Sequence, residues 1–484
     1  MVRPTRREFI RGALAAGAAL ALPARRMLGA NETINMGCIG VGGRGGHSAN
    51  EFAKLQNVRI AGLVDVDSQR LAGVKKRFDG AKAWVDLRKM LDDKDIDAVC
   101  VSTCNHWHAL ATVWACQAGK DVYVEKPASW SVVEGRKMVE AARKYKRIVQ
   151  AGMQQRSDPL QAEIMKLLDE GILGKIKYVR LNRYGQRGPV ARQDTPLKVP
   201  AHINYDLWLG PAKDVPLYRK QLHYDWHWMW NTGNGEMGNW GPHLIDDCRN
   251  VVFRSKAPLP VRCIAGGGRL GWNDAGETPN THFVYYDTGD IPVICDVHNL
   301  PMKAGARGGD VYKARRTRGF LIIECENGYY AGGRGGGTAH DKDGKRIRRL
   351  RGDGGRAHIP NFIDAVRSRK PEDLKGEIEQ GHYSSAWCHL GNLSWQAGAA
   401  YKKEEALERV KDVKPWAAVI EEFHAHLEAN EIDAKKADIK LGAMLEIDPK
   451  AETLTGASAT AAAKAVWTGQ YRGYRKPYVM PDEV

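Results

Sequence analysis

The sequence predicts an α/β domain with a doubly wound parallel sheet, followed by an α+β domain with a large, mainly antiparallel open sheet. Three observations predict this architecture. Short apolar strands alternate with helical patterns over residues 31–150, and a glycine-rich turn follows the first strand. Beyond residue 151 the pattern changes to strands and hairpins. Strands joined by crossover helices form parallel sheets, whereas strands joined by hairpins form antiparallel ones.

The first domain is predicted from apolar segments that have the length of buried strands. These segments are residues 34–39, 58–64, 98–102, 121–125 and 148–152. Helical patterns lie between or after them at residues 68–78, 108–118 and 131–145. Ligands of doubly wound sheets bind outside the carboxyl ends of the strands. We therefore expect a ligand site near the residues that follow these ends, namely Thr103, Asn105, His108, Glu125 and Lys126.

A dinucleotide site is predicted at the turn after the first strand, where glycines have the spacing Gly-x-Gly-x-x-Gly. The turn contains Gly40, Gly42, Gly43, Arg44 and Gly45. Glycines allow backbone N–H groups and a helix N-terminus to approach a pyrophosphate closely. Asp65 ends the second strand, twenty residues beyond Gly45. A carboxylate there accepts hydrogen bonds from a ribose and repels a 2′-phosphate, which favours NAD over NADP.

Residues 1–30 have the order of an export signal. Basic residues at the start precede an apolar run over residues 12–22 and then small residues. This run is shorter than the roughly 20 residues that span a bilayer, and the order is typical of a secretory signal. Arg6 and Arg7 before Phe9 resemble a twin-arginine signal, which directs folded proteins to the twin-arginine export machinery. We expect a periplasmic or otherwise exported protein that carries its cofactor with it.

Composition places the chain among ordinary soluble globular proteins, with 43% hydrophobic and 27% charged residues. The net charge is +16, and residues 303–356 contain 14 basic and six acidic residues. We interpret this segment as solvated hairpins or an oligomer contact; attraction of an anionic polymer or surface is the alternative. Because no nucleic-acid-binding motif accompanies the charge, we expect no nucleic-acid partner. No further segment is long enough to predict a membrane span.

The nine cysteines predict neither a disulfide framework nor a metal site. Five of them lie in apolar, strand-like runs, and none forms a Cys-x-x-Cys motif. Cysteines in such surroundings behave as small buried hydrophobic residues. We therefore expect no metal cofactor.

The second domain is predicted over residues 151–400 from strand-like segments at residues 176–184, 261–267, 281–286, 291–298 and 319–324. Residues 401–484 are predicted as a helical segment followed by an arm over the surface or over a neighbouring subunit. Aromatic side chains concentrate at residues 205–208 and 223–228. Flat aromatic rings beside polar groups suit the faces of a pyranose, and core packing is an equal alternative.

A resemblance to a known family becomes specific at the run Val-Tyr-Val-Glu-Lys-Pro, residues 122–127. Together with Thr-Cys-Asn-His-Trp-His at residues 103–108 and Ala-Gly-Lys at 118–120, it resembles the Gfo/Idh/MocA oxidoreductases over residues 34–400. This family is named after glucose-fructose oxidoreductase and inositol dehydrogenase. The resemblance implies an NAD-binding Rossmann domain and a homo-oligomer. It also implies that Lys126 contacts both the nicotinamide ribose and the substrate hydroxyl, and that a cis peptide bond precedes Pro127.

A second family element, Gly-x-x-x-Asp-x-Gly-x-His, corresponds to residues 235–243. The resemblance implies that His243 exchanges a proton with the substrate. Asn239 stands where the family commonly has aspartate, which removes a charge that would hold an imidazolium. Four residues are predicted by the resemblance to bind substrate, namely Gln155, Arg156, Asn239 and Asp246.

These patterns predict an exported NAD-dependent oxidoreductase that acts on a hydroxyl of a sugar, glycoside or polyol. A redox-neutral NAD-dependent glycosidase is the alternative, although related hydrolases tend to lose the Glu-Lys-Pro run that is intact here. A non-catalytic protein that binds a sugar or nucleotide is the second alternative.

Overall fold

A computed structural model describes residues 32–306, 320–460, 467 and 474–484 of the chain. The predicted signal at residues 1–30 lies outside these residues. The first domain contains a six-stranded parallel sheet in the order β3-β2-β1-β4-β5-β6. Its strands are β1 (Ile34–Ile39), β2 (Val58–Val64), β3 (Lys82–Trp84), β4 (Ala98–Val101), β5 (Asp121–Val124) and β6 (Val149–Ala151).

Helices connect these strands and cover both faces of the sheet, as predicted for a doubly wound domain. The helices are α1 (Arg44–Ala53), α2 (Ser68–Lys75), α3 (Leu87–Leu91), α4 (Asn105–Gln117) and α5 (Val132–Lys144). The sequence analysis did not identify β3 and α3. Both elements are short, and β3 lies at the sheet edge with no fully buried residue, so no apolar run indicates it.

The second domain is built on a twelve-stranded mixed sheet in the order β14-β13-β12-β11-β7-β10-β9-β8-β16-β15, and off this path β17 pairs with both β8 and β18. All its pairings are antiparallel except that of β7 with β10. The first strands are β7 (Ile176–Tyr184), β8 (Arg262–Gly268), β9 (Thr281–Asp287), β10 (Val293–His298) and β11 (Leu321–Cys325). The others are β12 (Gly328–Gly333), β13 (Gly336–Asp341), β14 (Arg346–Arg351), β15 (Ala399–Ala400), β16 (Ile439–Leu441), β17 (Leu445–Asp448) and β18 (Thr453–Thr455).

Helices pack on both faces of the large sheet. The longest described helix, α11 (Ile378–Gln396), is buried on nearly all sides because it fills the space between the sheet and the first domain. A separate cluster of apolar residues covers the opposite face of the sheet, beneath α12 (Lys403–Arg409) and α13 (Lys414–Ala429). The helices of this domain are α6 (Pro159–Asp169), α7 (Tyr205–Leu209), α8 (Gly235–Asn239), α9 (Gly241–Val251), α10 (His358–Ser368), α11 (Ile378–Gln396), α12 (Lys403–Arg409) and α13 (Lys414–Ala429).

The C-terminal segment contains strands that the sequence analysis did not identify. After α13 the chain returns to the sheet, because Ile439 and Leu441 alternate with a polar residue and pair beside β8. Residues 474–484 pack on the first domain of the same chain. Tyr478 lies 5.5 Å from the ring of Trp107, and its hydroxyl donates a hydrogen bond of 2.6 Å to Asp206.

The basic segment at residues 303–356 forms hairpins wherever the structure describes it, with β12, β13 and β14 as successive antiparallel strands. Residues 307–319 of this segment lie outside the description. Among the described residues, no helix combines the length and the apolar character needed to cross a bilayer. The same residues contain no cluster of three or more side chains suited to hold a metal ion.

Candidate functional site

A cavity of about 530 Å³ lies between the two domains, at the carboxyl ends of β1, β2, β4 and β5. Loops from both domains line it, because the strand order reverses between β1 and β4 and leaves a crevice there. Ten of the predicted cofactor residues line the cavity, namely Gly40, Gly42, Gly43, Arg44, Asp65, Thr103, Asn105, His108, Glu125 and Lys126.

At the glycine turn, other backbone atoms approach Gly40 and Gly45 so closely that a side chain would not fit. Gly40 has a φ of +76°, and a Cβ there would lie 2.8 Å from the carbonyl oxygen of Ser102. Gly45 does not line the cavity. A Cβ on Gly45 would lie 1.7 Å from the carbonyl oxygen of Gly40, so this glycine lets α1 pack against the turn. The free N-terminus of α1 therefore faces the cavity, which fits a dinucleotide pyrophosphate.

Asp65 lies at the end of β2 and is buried at one end of the cavity. Its carboxylate accepts hydrogen bonds from the backbone N–H of Val41 at 2.9 Å and of Asp67 at 3.0 Å. Burial raises the pKa of Asp65, and these two hydrogen bonds oppose that effect. Since a carboxylate can accept about four hydrogen bonds, Asp65 retains acceptor capacity for the hydroxyls of a ribose.

Glu125 anchors the glycine turn to the end of β5. Arg44, the first residue of α1, donates a hydrogen bond of 2.8 Å from Nε to Glu125. Burial alone would raise the pKa of Glu125, but the Arg44 guanidinium holds it below its usual value. This ion pair holds the Arg44 guanidinium beside the predicted pyrophosphate position.

The peptide bond between Lys126 and Pro127 is cis, as the family resemblance implied. His108 on α4 supports this turn, because its Nδ1 lies 2.7 Å from the carbonyl oxygen of Pro127. Its Nε2 lies 3.1 Å from the carbonyl oxygen of Thr103. Asn105 connects the domains by donating a hydrogen bond of 3.0 Å to Asn234 Oδ1. These residues therefore position the Lys126 turn against the second domain.

Lys126 extends across the cavity to the second domain. Its Nζ donates hydrogen bonds to the backbone oxygen of Asn239 at 2.8 Å and to Asn239 Oδ1 at 2.9 Å. Burial lowers the pKa of Lys126 to about 8, whereas Glu125 and Glu236 act to raise it. The ammonium group therefore retains its proton at neutral pH and loses it more readily than an exposed lysine.

A network behind Asn239 sets the orientation of its amide. Asn239 Nδ2 lies 3.3 Å from Glu236 Oε2, and Glu236 in turn accepts a hydrogen bond of 2.8 Å from Arg187 Nε. Because the amide nitrogen faces a carboxylate, the amide oxygen faces Lys126. The asparagine that replaces the family's usual aspartate thus still presents an oxygen to the lysine, and the carboxylate lies one helical turn earlier, at Glu236.

His243 lies one helical turn after Asn239, near the start of α9, and lines the same cavity. It is buried, with 8% of its surface exposed. Burial lowers the pKa of His243 well below its usual value, and the charges of Arg334 and Lys126 lower it further. The imidazole is therefore neutral at neutral pH and able to accept a proton.

Aromatic side chains from the two predicted segments form part of the cavity wall. The ring of His227 stacks on Trp226 at 3.6 Å, and burial lowers the pKa of His227 to about 3. His223 lies 3.0 Å from Asp67 and links this wall to the first domain near Asp65. The residues of these two segments that line the cavity include Trp208, His223, Tyr224, Trp226 and His227, and Trp107 on α4 also lines it.

Three predicted substrate-binding residues do not line the cavity. Arg156 donates from Nε to both carboxylate oxygens of Asp246 at 2.8 Å, and both side chains are buried. Gln155 donates to the backbone oxygen of Gly354 at 3.3 Å. Their direct contact with substrate stays a prediction. In this geometry the charges of Arg156 and of Asp246 on α9 neutralise each other outside the cavity.

Sequence analysis missed several residues that line the cavity, among them Arg70, Gln154 and Arg334. Arg334 lies in the two-residue turn between β12 and β13, where Gly333 pairs with Gly336. The glycines around it indicated a hairpin, but nothing in the sequence indicated which surface the turn would meet.

Two profiles of one oxidoreductase family, Gfo/Idh/MocA, match the chain. The profile described as "NAD-binding Rossmann fold" matches residues 34–153, and that described as "C-terminal alpha/beta domain" matches residues 157–314. Together they cover more than half of the chain. The chain belongs to this family. The matches confirm the resemblance that the Glu-Lys-Pro run indicated and the NAD-binding class of the first domain.

Individual members of the Gfo/Idh/MocA family are similar over parts of the chain. Inositol 2-dehydrogenase 2 of Saccharopolyspora erythraea is 32% identical over 145 residues, which is 30% of this chain and 43% of that enzyme. Levoglucosan dehydrogenase of Pseudarthrobacter phenanthrenivorans is 25% identical over 306 residues, covering 60% and 69% of the two chains. The chain thus spans less than half the length of the inositol dehydrogenase that it matches.

Solved structures of the Gfo/Idh/MocA fold superpose on most of the chain. Levoglucosan dehydrogenase in complex with NADH and levoglucosan gives a TM-score of 0.55 at 17% identity, covering 74% of this chain and 96% of that one. The WlbA dehydrogenase of Bordetella pertussis, in complex with NADH and UDP-GlcNAcA, gives the same TM-score and identity over 74% and 94%. At these identities the superpositions establish the fold.

Proposed function

We propose that this protein is an NAD-dependent oxidoreductase that transfers hydride between a sugar, glycoside or polyol hydroxyl and a tightly bound nicotinamide cofactor. The observation that carries the proposal is the hydrogen bonding of Lys126 Nζ to Asn239. Both residues line the same cavity as His243 and the glycine turn. Relatives named as inositol and levoglucosan dehydrogenases support a polyol or sugar as substrate.

The glycine turn, Arg44 and Asp65 would hold the dinucleotide, with Asp65 at its adenosine end. When bound, NAD accepts the hydride from the carbinol carbon at nicotinamide C4. The family resemblance implies that Lys126 would contact both the nicotinamide ribose and the substrate hydroxyl. Asn239 holds the Lys126 ammonium group in place, so its remaining N–H is available to the substrate oxygen.

His243 acts as the proton acceptor in this proposal. As hydride leaves the carbinol carbon, the hydroxyl proton moves to the neutral imidazole and a carbonyl forms. The low pKa of His243 keeps it neutral before the reaction and makes it a strong acid once protonated. It therefore returns its proton readily when the reaction runs in the direction of reduction. The Lys126 ammonium donates a hydrogen bond to the oxygen throughout, which stabilises the developing negative charge.

We also infer export through the twin-arginine route, on the basis of Arg6 and Arg7 and the apolar run after them. Little free NAD is available outside the cytoplasm, so an exported enzyme needs to keep its cofactor. A second substrate, or the same sugar after a further step, would then reoxidise the cofactor in place. The residues concerned lie outside the described part of the chain, and the support is the sequence pattern alone. A homo-oligomer is proposed on the family resemblance and is testable by light scattering.

The proposed function is tested by incubating purified protein with polyols, sugars and glycosides and identifying the products by mass. Keto sugars or inososes, with reduced cofactor, are the expected products. Free aglycone without net redox change would instead identify the NAD-dependent glycosidase. Absence of any product across the panel, in protein that binds NAD, would overturn the proposal in favour of a binding protein.

A further inference from the structure

Two arginines lie against the indole ring of Trp240, which separates Asn239 from the start of α9. The guanidinium carbon of Arg183, on β7, lies 4.5 Å from the ring centroid. That of Arg334, in the turn between β12 and β13, lies 5.3 Å from it. Phe320 stacks on the same indole at 5.4 Å. Of these two arginines, only Arg334 lines the cavity, where Asn239 and His243 line it too.

Neither guanidinium has a carboxylate partner among the residues that the structure describes. Three neighbouring arginines are paired, Arg44 with Glu125, Arg187 with Glu236, and Arg156 with Asp246. Arg183 is half-buried, and its Nε is buried without a hydrogen-bond partner. Partial removal from water lowers the pKa of both Arg183 and Arg334. Arg334 is exposed at the cavity rim, so its guanidinium is accessible to a ligand that carries the opposite charge.

Among the carboxyl groups that act on Arg334, Asp247 has the largest effect, which is to raise the pKa of Arg334 by its negative charge. It does not neutralise that charge at neutral pH, since burial and the adjacent Asp246 raise the pKa of Asp247 to about 8. Glu236 acts on Arg183 but is already bonded to Arg187. The Arg334 guanidinium therefore lacks a compensating carboxylate among the described residues at neutral pH.

Arginine binds carboxylate, phosphate and sulfate groups through parallel N–H donors, and it does so more specifically than lysine. We propose that the substrate carries an oxyanion, which Arg334 binds while the reacting hydroxyl lies at Lys126 and His243. The substrate class is thus an acidic sugar or acidic glycoside, with a carboxylate, a phosphate ester or a sulfate ester. This inference rests on the proposed function and narrows it.

Arg334 contacts Trp240 and lines the wall with Asn239 and His243, whereas Asp65 and Arg70 lie at the adenosine end and Arg44 at the turn between. Arg334 is exposed at the rim, so a neutral side chain there leaves the core unchanged. The position is therefore suited to a substitution that alters ligand charge preference without unfolding the protein.

The experiment compares glucose with glucuronate, glucose 6-phosphate and glucose 6-sulfate on the NAD-bound protein, by cofactor reduction and by calorimetric titration. Wild-type protein is expected to prefer at least one acidic sugar over glucose by about tenfold or more in kcat/KM or affinity. Arg334→Gln should abolish that preference, measured as the ratio of acidic to neutral sugar, because the charge-assisted contact is lost, and it should leave NAD affinity within about threefold. Arg334→Lys, which keeps the charge but lacks the planar guanidinium with its parallel N–H donors, should reduce the preference partly.

Arg349→Gln is the matched control, because Arg349 is exposed on β14 and does not line the cavity. It should behave as wild type. Equal use of neutral and acidic sugars by wild-type protein would overturn the inference. So would weaker NAD binding in Arg334→Gln with an unchanged sugar preference, which would assign Arg334 to the cofactor. If no sugar is oxidised, the proposed function fails, and calorimetry still decides whether Arg334 binds the oxyanion.

Discussion

Lys126 Nζ contacts both the backbone oxygen and Oδ1 of Asn239, at 2.8 and 2.9 Å. The two residues come from different domains, so a single ammonium group joins the end of a Rossmann strand to the helix pair that contains His243. Glu236 and Arg187 fix the orientation of the Asn239 amide from behind. Lys126 and Asn239 are therefore held in place before any substrate is bound.

Substitution of Lys126 or His243 should abolish hydride transfer while NAD still binds. Lys126→Met removes the donor to the substrate oxygen, and His243→Ala removes the proton acceptor. Each loss should lower the single-turnover rate by about 10²-fold or more, as for other general acid–base groups. Lys89→Met, an exposed lysine on α3, is the control. Turnover near wild type in Lys126→Met would remove this lysine from the mechanism.

The pH profile of oxidation should be bell-shaped, with limits set by His243 and Lys126. The neutral form of His243 is active, so activity falls only as the pH drops well below the usual imidazole range. The protonated form of Lys126 is active, so activity falls as the pH rises through about 8. A kcat/KM profile at saturating NAD measures both limits. Lys126→Arg, whose charge persists at high pH, should lose the alkaline limit in any remaining activity.

Neutralising Asp65 should weaken the preference for NAD over NADP. The Asp65 carboxylate at the end of β2 repels a 2′-phosphate, so Asp65→Asn should reduce the ratio of NAD affinity to NADP affinity by about tenfold. The amide retains an oxygen for the N–H of Val41 or Asp67. Fluorescence titration with both nucleotides measures the ratio, and Asp79→Asn, exposed in the same domain, controls for net charge. A wild-type preference for NADP would show that Asp65 has another role.

Asp247→Asn should stabilise the protein at high pH. Because its pKa is raised to about 8 in the folded state, Asp247 favours unfolding increasingly as the pH rises from its unfolded value towards about 8. Asparagine keeps an acceptor for the bond of 2.7 Å from Gln161. The gain in unfolding free energy should be about 1–3 kcal/mol near pH 8 and close to zero near pH 4. Urea unfolding at both pH values, with the exposed Asp290→Asn as control, tests this.

The purified protein should retain its nucleotide. Extensive dialysis followed by acid release and quantification should recover NAD(H) in amounts stoichiometric with the chain, and the enzyme should show ping-pong kinetics with a donor hydroxyl and an acceptor carbonyl. Tight retention is expected because both domains enclose the cavity and His223 joins them by its contact with Asp67. Recovery of little nucleotide, with activity restored only by added NAD, would contradict the closed redox cycle.

The local patterns of the sequence determined the first domain and much of the nucleotide site. Strands β1, β2 and β7 have the predicted bounds, because their apolar runs are bounded by glycine, polar residues or turns on both sides. The glycine turn and Asp65 depend on neighbouring residues and a fixed spacing to the next strand. Lys126 and Pro127 lie in one consecutive run. Each of these features is decided within a few turns of the chain, where side-chain type controls backbone geometry.

Only the tertiary structure decided which polar side chains face the cavity. Arg156 and Asp246 pair with each other instead of lining it, whereas Arg334 arrives there on a hairpin turn. The contact of Lys126 with Asn239 spans 113 positions in the sequence. C-terminal residues 439–455 returned to the large sheet because strand pairing depends on a free sheet edge elsewhere in the chain. Such pairings depend on how distant elements pack and compete for hydrogen bonds and charge, and no local pattern records that outcome.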